Sequence, residues 1–109
     1  MPKLKAEEFD LDVVEEALES LQLPHLRARK RGAAIIVESG PKQHPLKHFR
    51  LRRDTAQYWL LDIANHQGRW EPTPYREPLG NLVRRVAEDF PWVVADVFKN
   101  PERTSDPRN

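Results

Sequence analysis

The stretch 46-LKHFRLRRDTAQYWLLDI-63 decides the fold. From Leu46 to Arg53 the residues alternate with period two, placing Phe49 and Leu51 on one face and His48, Arg50 and Arg52 on the other. Asp54-Thr55-Ala56 reads as a tight connection. Gln57 to Ile63 then resumes the alternation and groups Trp59, Leu61 and Ile63 against Tyr58, Leu60 and Asp62. Two strands joined by so short a turn are antiparallel neighbours, with one apolar face to bury and one arginine-bearing face to leave in water.

Working upstream, Leu26, Ala28 and Lys30 alternate with Arg27, Arg29 and Arg31, and 33-AAIIVE-38 is a short β-branched run. Gly32 between them fits either a hairpin turn or a bulge in one long strand. Ser39 to Pro45, with one glycine and two prolines, is a loop. Downstream, Asn65 to Gly68 supplies residues that tolerate positive φ, and Arg69-Trp70-Glu71 fits a short return strand ended by Pro72.

Helical periodicity flanks this core on both sides. Asp10 reads as an N-cap, with Phe9 and Val14 spaced as a hydrophobic staple. Val14, Ala17, Leu18 and Leu21 share one face while Glu15, Glu16 and Glu19 take the other, so the spacing predicts a helix over 11–22 that stops before Pro24. Pro78 opens a second helix whose apolar face is Leu79, Leu82, Val83, Val86 and Phe90, and Pro91 ends it. Gly80 costs that helix about 1 kcal/mol relative to alanine.

The expected fold is α+β: an N-terminal helix, an antiparallel meander of three to five strands with its order open, and a C-terminal helix, both helices packed on one face of the sheet. One domain is expected over 1–98, followed by a flexible tail over 99–109 that has two prolines and little to bury.

Composition narrows the function classes. The 109 residues include no cysteine, which removes disulfides, thiolate nucleophiles and zinc–thiolate sites together. With 32% charged residues and no long apolar run, nothing in the chain would span a bilayer. Met1 to Glu8 lacks the apolar region of a secretory signal, so a cytoplasmic location is expected. The net charge of +1 conceals opposed blocks. Residues 1–24 sum to −5, residues 25–53 to +8, with Glu38 the one acid among nine bases, and residues 54–109 to −2.

The motifs Trp59-Leu60-Leu61, Gly68-Arg69-Trp70-Glu71, Leu79 to Val86 and Asp89-Phe90-Pro91-Trp92 resemble those of an uncharacterised bacterial domain family of unknown function, over residues 49–95. The resemblance implies a fold and transfers no catalytic residue.

Three functional readings follow from the residues. In the first, Arg27, Arg29, Arg31, Arg50 and Arg52, with His48 beside them, form a cationic sheet face. Guanidinium groups at two-residue spacing would track the phosphates of nucleic acid or another polyanion, and Tyr58 or Trp70 would stack a base. The competing explanation is that an exposed sheet face must be polar, and that the acidic face of the first helix neutralises it. In the second, a non-enzymatic protein-interaction module or homodimer works through the Trp70 region or the apolar stretch 92–98. Trp59 and Trp92 read as core residues, so Trp70 is the tryptophan expected at the surface. In the third, Asp54, Asp62, His66, Arg69 and Glu71 gather at one end of a hairpin and supply a small nuclease's acid, base and phosphate-binding cation. A binding module is favoured over an enzyme, because charged residues at turns have backbone reasons to be there. No cofactor motif is present. His44 and His48 have a metal-ligand spacing only on a helix, and Pro45 with the strand pattern removes one, so no metal site is expected.

Overall fold

A computed structural model describes residues 5–96. Helix α1 (Glu8–Ser20) leads into strands β1 (Arg27–Arg31), β2 (Ala34–Ser39), β3 (Leu46–Arg53), β4 (Trp59–Ala64) and β5 (Trp70–Glu77). Helix α2 (Leu79–Asp89) and a 3₁₀ turn over Pro91–Val94 follow. The strands form one antiparallel sheet in the order β1-β2-β3-β4-β5, as expected of a chain whose strands are joined by short connections. The α+β expectation therefore holds, with five strands in sequential order. The tail over 99–109, together with Val97 and Phe98, lies outside the described residues.

One sheet face carries the core. Ile35, Val37, Phe49, Leu51, Trp59 and Leu61 pack with Val14, Ala17 and Leu18 of α1 and with Leu82, Val83 and Val86 of α2 in one cluster. Each such side chain contributes about 1.5–3 kcal/mol relative to exposure, which is why both helices lie on this face. Two ion pairs from α1 reach the sheet on the same side: Glu8 to Lys30 at 2.8 Å and Asp10 to Arg53 at 3.0 Å. Among the described residues, no layer lies above the other face.

Local chemistry departs from the sequence pattern in several places. Helix α1 begins three residues earlier than its periodicity suggests, and Glu7 is the N-cap. Asp10 is the third helical residue, whose carboxylate accepts the Glu7 N–H at 2.9 Å in a capping box. Phe9 is exposed and forms no staple. Helix α1 ends at Ser20, and Gln22 takes the left-handed conformation (φ 60°) while the Gln22 and Leu23 N–H groups donate to Glu19 and Leu18, a Schellman closure without glycine.

Gly32 is a turn: Arg31 pairs with Ala34, leaving Gly32 and Ala33 as a two-residue loop, and the Gly32 φ of 61° is what such a loop demands of its first residue. Strand β5 runs through Pro72 and Pro74 rather than stopping at Pro72. It is an edge strand, where a missing N–H on the outer side costs no ladder bond, and the Thr73 hydroxyl donates to the Leu61 carbonyl at 2.9 Å where the register shifts. The last two departures concern His48 and Trp92.

His48 does not share the arginine face. Val37 pairs with Phe49 but Glu38 pairs with Lys47, so His48 is the extra residue of a β-bulge. Its imidazole turns to the covered side, buried, with Nδ1–H donating to the Val93 carbonyl at 2.5 Å and Nε2 accepting from the Ser39 hydroxyl at 2.7 Å. The bulge also moves Lys47 to the open face. Trp92, expected in the core, is 69% exposed, because Pro91–Val94 turns Val93 and Val94 inward instead. Trp70 is half-buried.

Candidate functional site

The open face is built in rows by the strand register. Arg29, Ile36, Arg50 and Asp62 lie side by side across four strands, and Arg31, Ala34, Arg52, Leu60 and Arg76 form the next row. Arg27 and Lys47 flank Glu38, and Trp70 stands beside Ala64. Alternation alone puts Arg27, Arg29, Arg31, Arg50 and Arg52 here, and the register brings the five together on β1 and β3, the two strands that flank β2. Arg29 and Arg50 sit on either side of β2, about 10 Å apart at the backbone.

Two carboxylates lie beneath these arginines. Asp62, 1% exposed, accepts from Arg50 Nε at 2.8 Å and from Arg52 Nε at 2.5 Å, with a second Arg52 bond at 3.1 Å. Glu38, 4% exposed, accepts from Arg29 Nε at 3.0 Å, and the Arg27 guanidinium lies 3.6 Å away as an ion pair without a hydrogen bond. Arg27 is held instead by the Gly40 carbonyl at 2.6 Å. Each carboxylate is thus shared by two arginines, which leaves each cluster net positive. The Asp62 hydrogen bond pushes the Arg52 pKa up from its already high value, and burial works against it. Neutralisation of the face comes from within the sheet and is partial, while the acidic helix is engaged with Lys30 and Arg53 on the covered side.

A guanidinium offers five N–H donors. Arg29 uses its Nε on Glu38, and Arg50 uses Nε and one terminal nitrogen on Asp62, so each keeps N–H donors to spare. Among the described residues Arg31 and Lys47 have no carboxylate partner.

Between the two clusters lies a depression of 310 Å³. Ile36 and Ala34 form its floor, Arg29, Arg31, Lys47 and Arg50 its walls, and Trp70 closes one side. Ile36 is 4% exposed yet stands apart from the main core, and it lies between Arg29 and Arg50, whose stems cover it. The Arg50 guanidinium lies 4.9 Å from the centre of the Trp70 ring and the Lys47 ammonium 5.7 Å.

Tyr58 is not part of this depression. It is exposed beneath Arg76, whose guanidinium is 4.6 Å from its ring and is paired with Asp54 at 2.6 Å. Six residues of β4, about 20 Å, separate it from the position opposite Trp70. The acid–base cluster is divided in the same way: Asp54 sits in the β3–β4 connection, whereas His66 and Arg69 belong to the β4–β5 connection at the other end of the strand. Asp62 is taken by two arginines and Glu71 by the Asn65 amide at 3.0 Å. These groups do not converge, which corrects the expectation that they gather at one end of a hairpin.

Sequence reasoning missed Glu38, Ile36 and Lys47 as parts of the face, and placed Asp62 on the outward phase of its strand without its arginine partners. For Lys47 a signal exists: strict alternation puts a lysine on the covered face and a histidine on the open one, and a bulge resolves both conflicts. The pairing of Glu38 and Asp62 with particular arginines depends on register, which no local pattern encodes.

A larger open groove of 420 Å³ lies elsewhere, between the end of α1 and the start of β1, with Leu18, Leu23, Pro24 and Leu26 in its lining. It gathers no group capable of acid–base or nucleophilic chemistry beyond Glu15 and Glu19 at its rim. Among the described residues no helix is long and apolar enough to cross a membrane. No family model, curated protein or solved structure matches the chain.

Proposed function

We propose that this protein is a non-enzymatic binding module whose open sheet face contacts nucleic acid through its phosphates. The observation that carries the reading is the 310 Å³ depression, where four cationic side chains meet Trp70 over an apolar floor on the open face of the sheet. Seven cations on that face, Arg27, Arg29, Arg31, Lys47, Arg50, Arg52 and Arg76, stand against the buried carboxylates Glu38 and Asp62 and the partly exposed Asp54. A surface that only needed to be polar has no use for an excess of one sign, and such an excess favours a polyanion.

Phosphate contacts release counterions, so affinity for an oligonucleotide is expected to fall steeply as salt rises. Arg31→Ala and Lys47→Ala are each expected to reduce the log–log slope by about one. Absence of binding at low salt contradicts the reading.

A second reading is favoured by Trp92, which projects 69% exposed beside Phe90 at a ring separation of 5.6 Å. An exposed indole next to a half-buried phenyl ring suits a contact with a second copy of the chain. Sedimentation at rising concentration should then show a dimer that Trp92→Ser abolishes. A monomer throughout disposes of this reading and leaves the basic face untouched.

A further inference from the structure

We infer that the depression at Trp70 seats an unpaired nucleobase, so that the ligand class is single-stranded nucleic acid rather than duplex. This rests on the reading of the basic face given above and adds what the apolar part of the depression is for.

A duplex offers a protein its phosphates and the edges of its bases, and keeps the faces of the bases stacked inside. For such a ligand the cations suffice, and an isoleucine floor beside a tryptophan contributes nothing. An unpaired base presents a flat, weakly polar face together with a phosphate on either side. The depression matches both parts. Ile36 and the arginine stems that lie over it supply an apolar floor, Trp70 supplies a π-face, and the Arg50 guanidinium lies 4.9 Å from that ring, so a base entering beside Arg50 continues an existing stack.

The cations divide by role. Arg50, through two nitrogens, and Arg29, through one, are tethered by Asp62 and Glu38, and are suited to contacts at the floor's edges. Arg31 and Lys47 are exposed, with no carboxylate partner among the described residues, and reach the phosphates on either side of the seated base. Size points the same way: 310 Å³ lies at the lower end of the roughly 300–1,000 Å³ range of ligand pockets, room for one nucleotide and not for a helical groove.

The test is a pair of titrations of the full chain at one low salt concentration, using labelled oligothymidine and a labelled duplex of equal length. The single strand is expected to bind about tenfold more tightly, the scale of one stacked base. Trp70→Leu should remove that preference and leave duplex binding unchanged. Trp70→Phe should keep most of it, which separates stacking from a fold defect. Titrations of oligodeoxyuridine and oligouridine in parallel assign the sugar: tight binding of either strand supports the seat, and the ratio of these two shows whether the 2′-hydroxyl is read. Equal affinity for strand and duplex, unaltered by Trp70→Leu, overturns the base seat while the basic-face reading survives. Failure of both probes to bind overturns both.

Discussion

Asp62 shows how one residue organises the face. It is 1% exposed on the open side of the sheet, and what buries it is the pair of arginines it holds. A carboxylate taken out of water this far is tolerable only while both partners stay in place. Asp62→Asn keeps the volume and removes the charge, so we expect it to lower stability by about 1–3 kcal/mol, discounted because Arg50 and Arg52 remain partly in water. Thermal unfolding measures this. Binding should respond in the opposite sense, since an acid competing with phosphate is gone. An unchanged melting temperature contradicts the clamp. The five arginines of the site can be read from alternation alone, but Asp62 cannot: in sequence it is one more polar residue on the outward phase of β4, and its role appears when Arg50 is found opposite it.

At the level of elements, the decisive feature is the bulge in β3. It turns His48 inward, where the imidazole binds Val93 and Ser39, while His25 Nε2–H donates to the adjacent Val94 carbonyl at 2.6 Å. Two histidines, from β3 and from the segment before β1, thus clasp consecutive carbonyls of the Pro91–Val94 turn. Burial lowers the His48 pKa from 6.5. The Val93 bond opposes this, nearby His25 adds to it, and Asp96 works against it. A histidine with a depressed folded pKa contributes stability that is complete above its unfolded value and is lost as pH falls from there through the folded value. Denaturant midpoints are therefore expected to drop between neutral and mildly acidic pH. His48→Gln should flatten that dependence and cost about 1–3 kcal/mol at neutral pH, because the Val93 and Ser39 groups lose their partner. A midpoint indifferent to pH in the unsubstituted protein contradicts the clasp. Periodicity locates both α-helices and the strand segments, because apolar spacing reflects burial directly, but it does not say whether β1 and β2 are one strand or two and does not reveal the 3₁₀ turn over Pro91–Val94. It misplaces the start of α1, the length of β5 and the direction of His48, where a capping box, an edge position and a bulge override the local pattern.

Across the whole molecule, the charge blocks of the sequence become an arrangement of surfaces. The acidic helix α1 packs on the covered face and pairs with Lys30 and Arg53, and most of the cations of the +8 segment are left on the open face. The helix–meander–helix order follows from short connections and from one apolar phase per element, so it is legible in the sequence. Which arginines meet across the sheet is a property of register, and the depression between them exists only once five strands are assembled. It is this assembled face that we propose binds nucleic acid through its phosphates. The most direct measurement is the affinity for oligothymidine as a function of salt, for the unsubstituted chain and for Arg31→Ala combined with Lys47→Ala. We predict a steep linear fall of log affinity with log salt, its slope reduced by about two in the double variant. Affinity that is absent at low salt, or that keeps the same slope without Arg31 and Lys47, would contradict it.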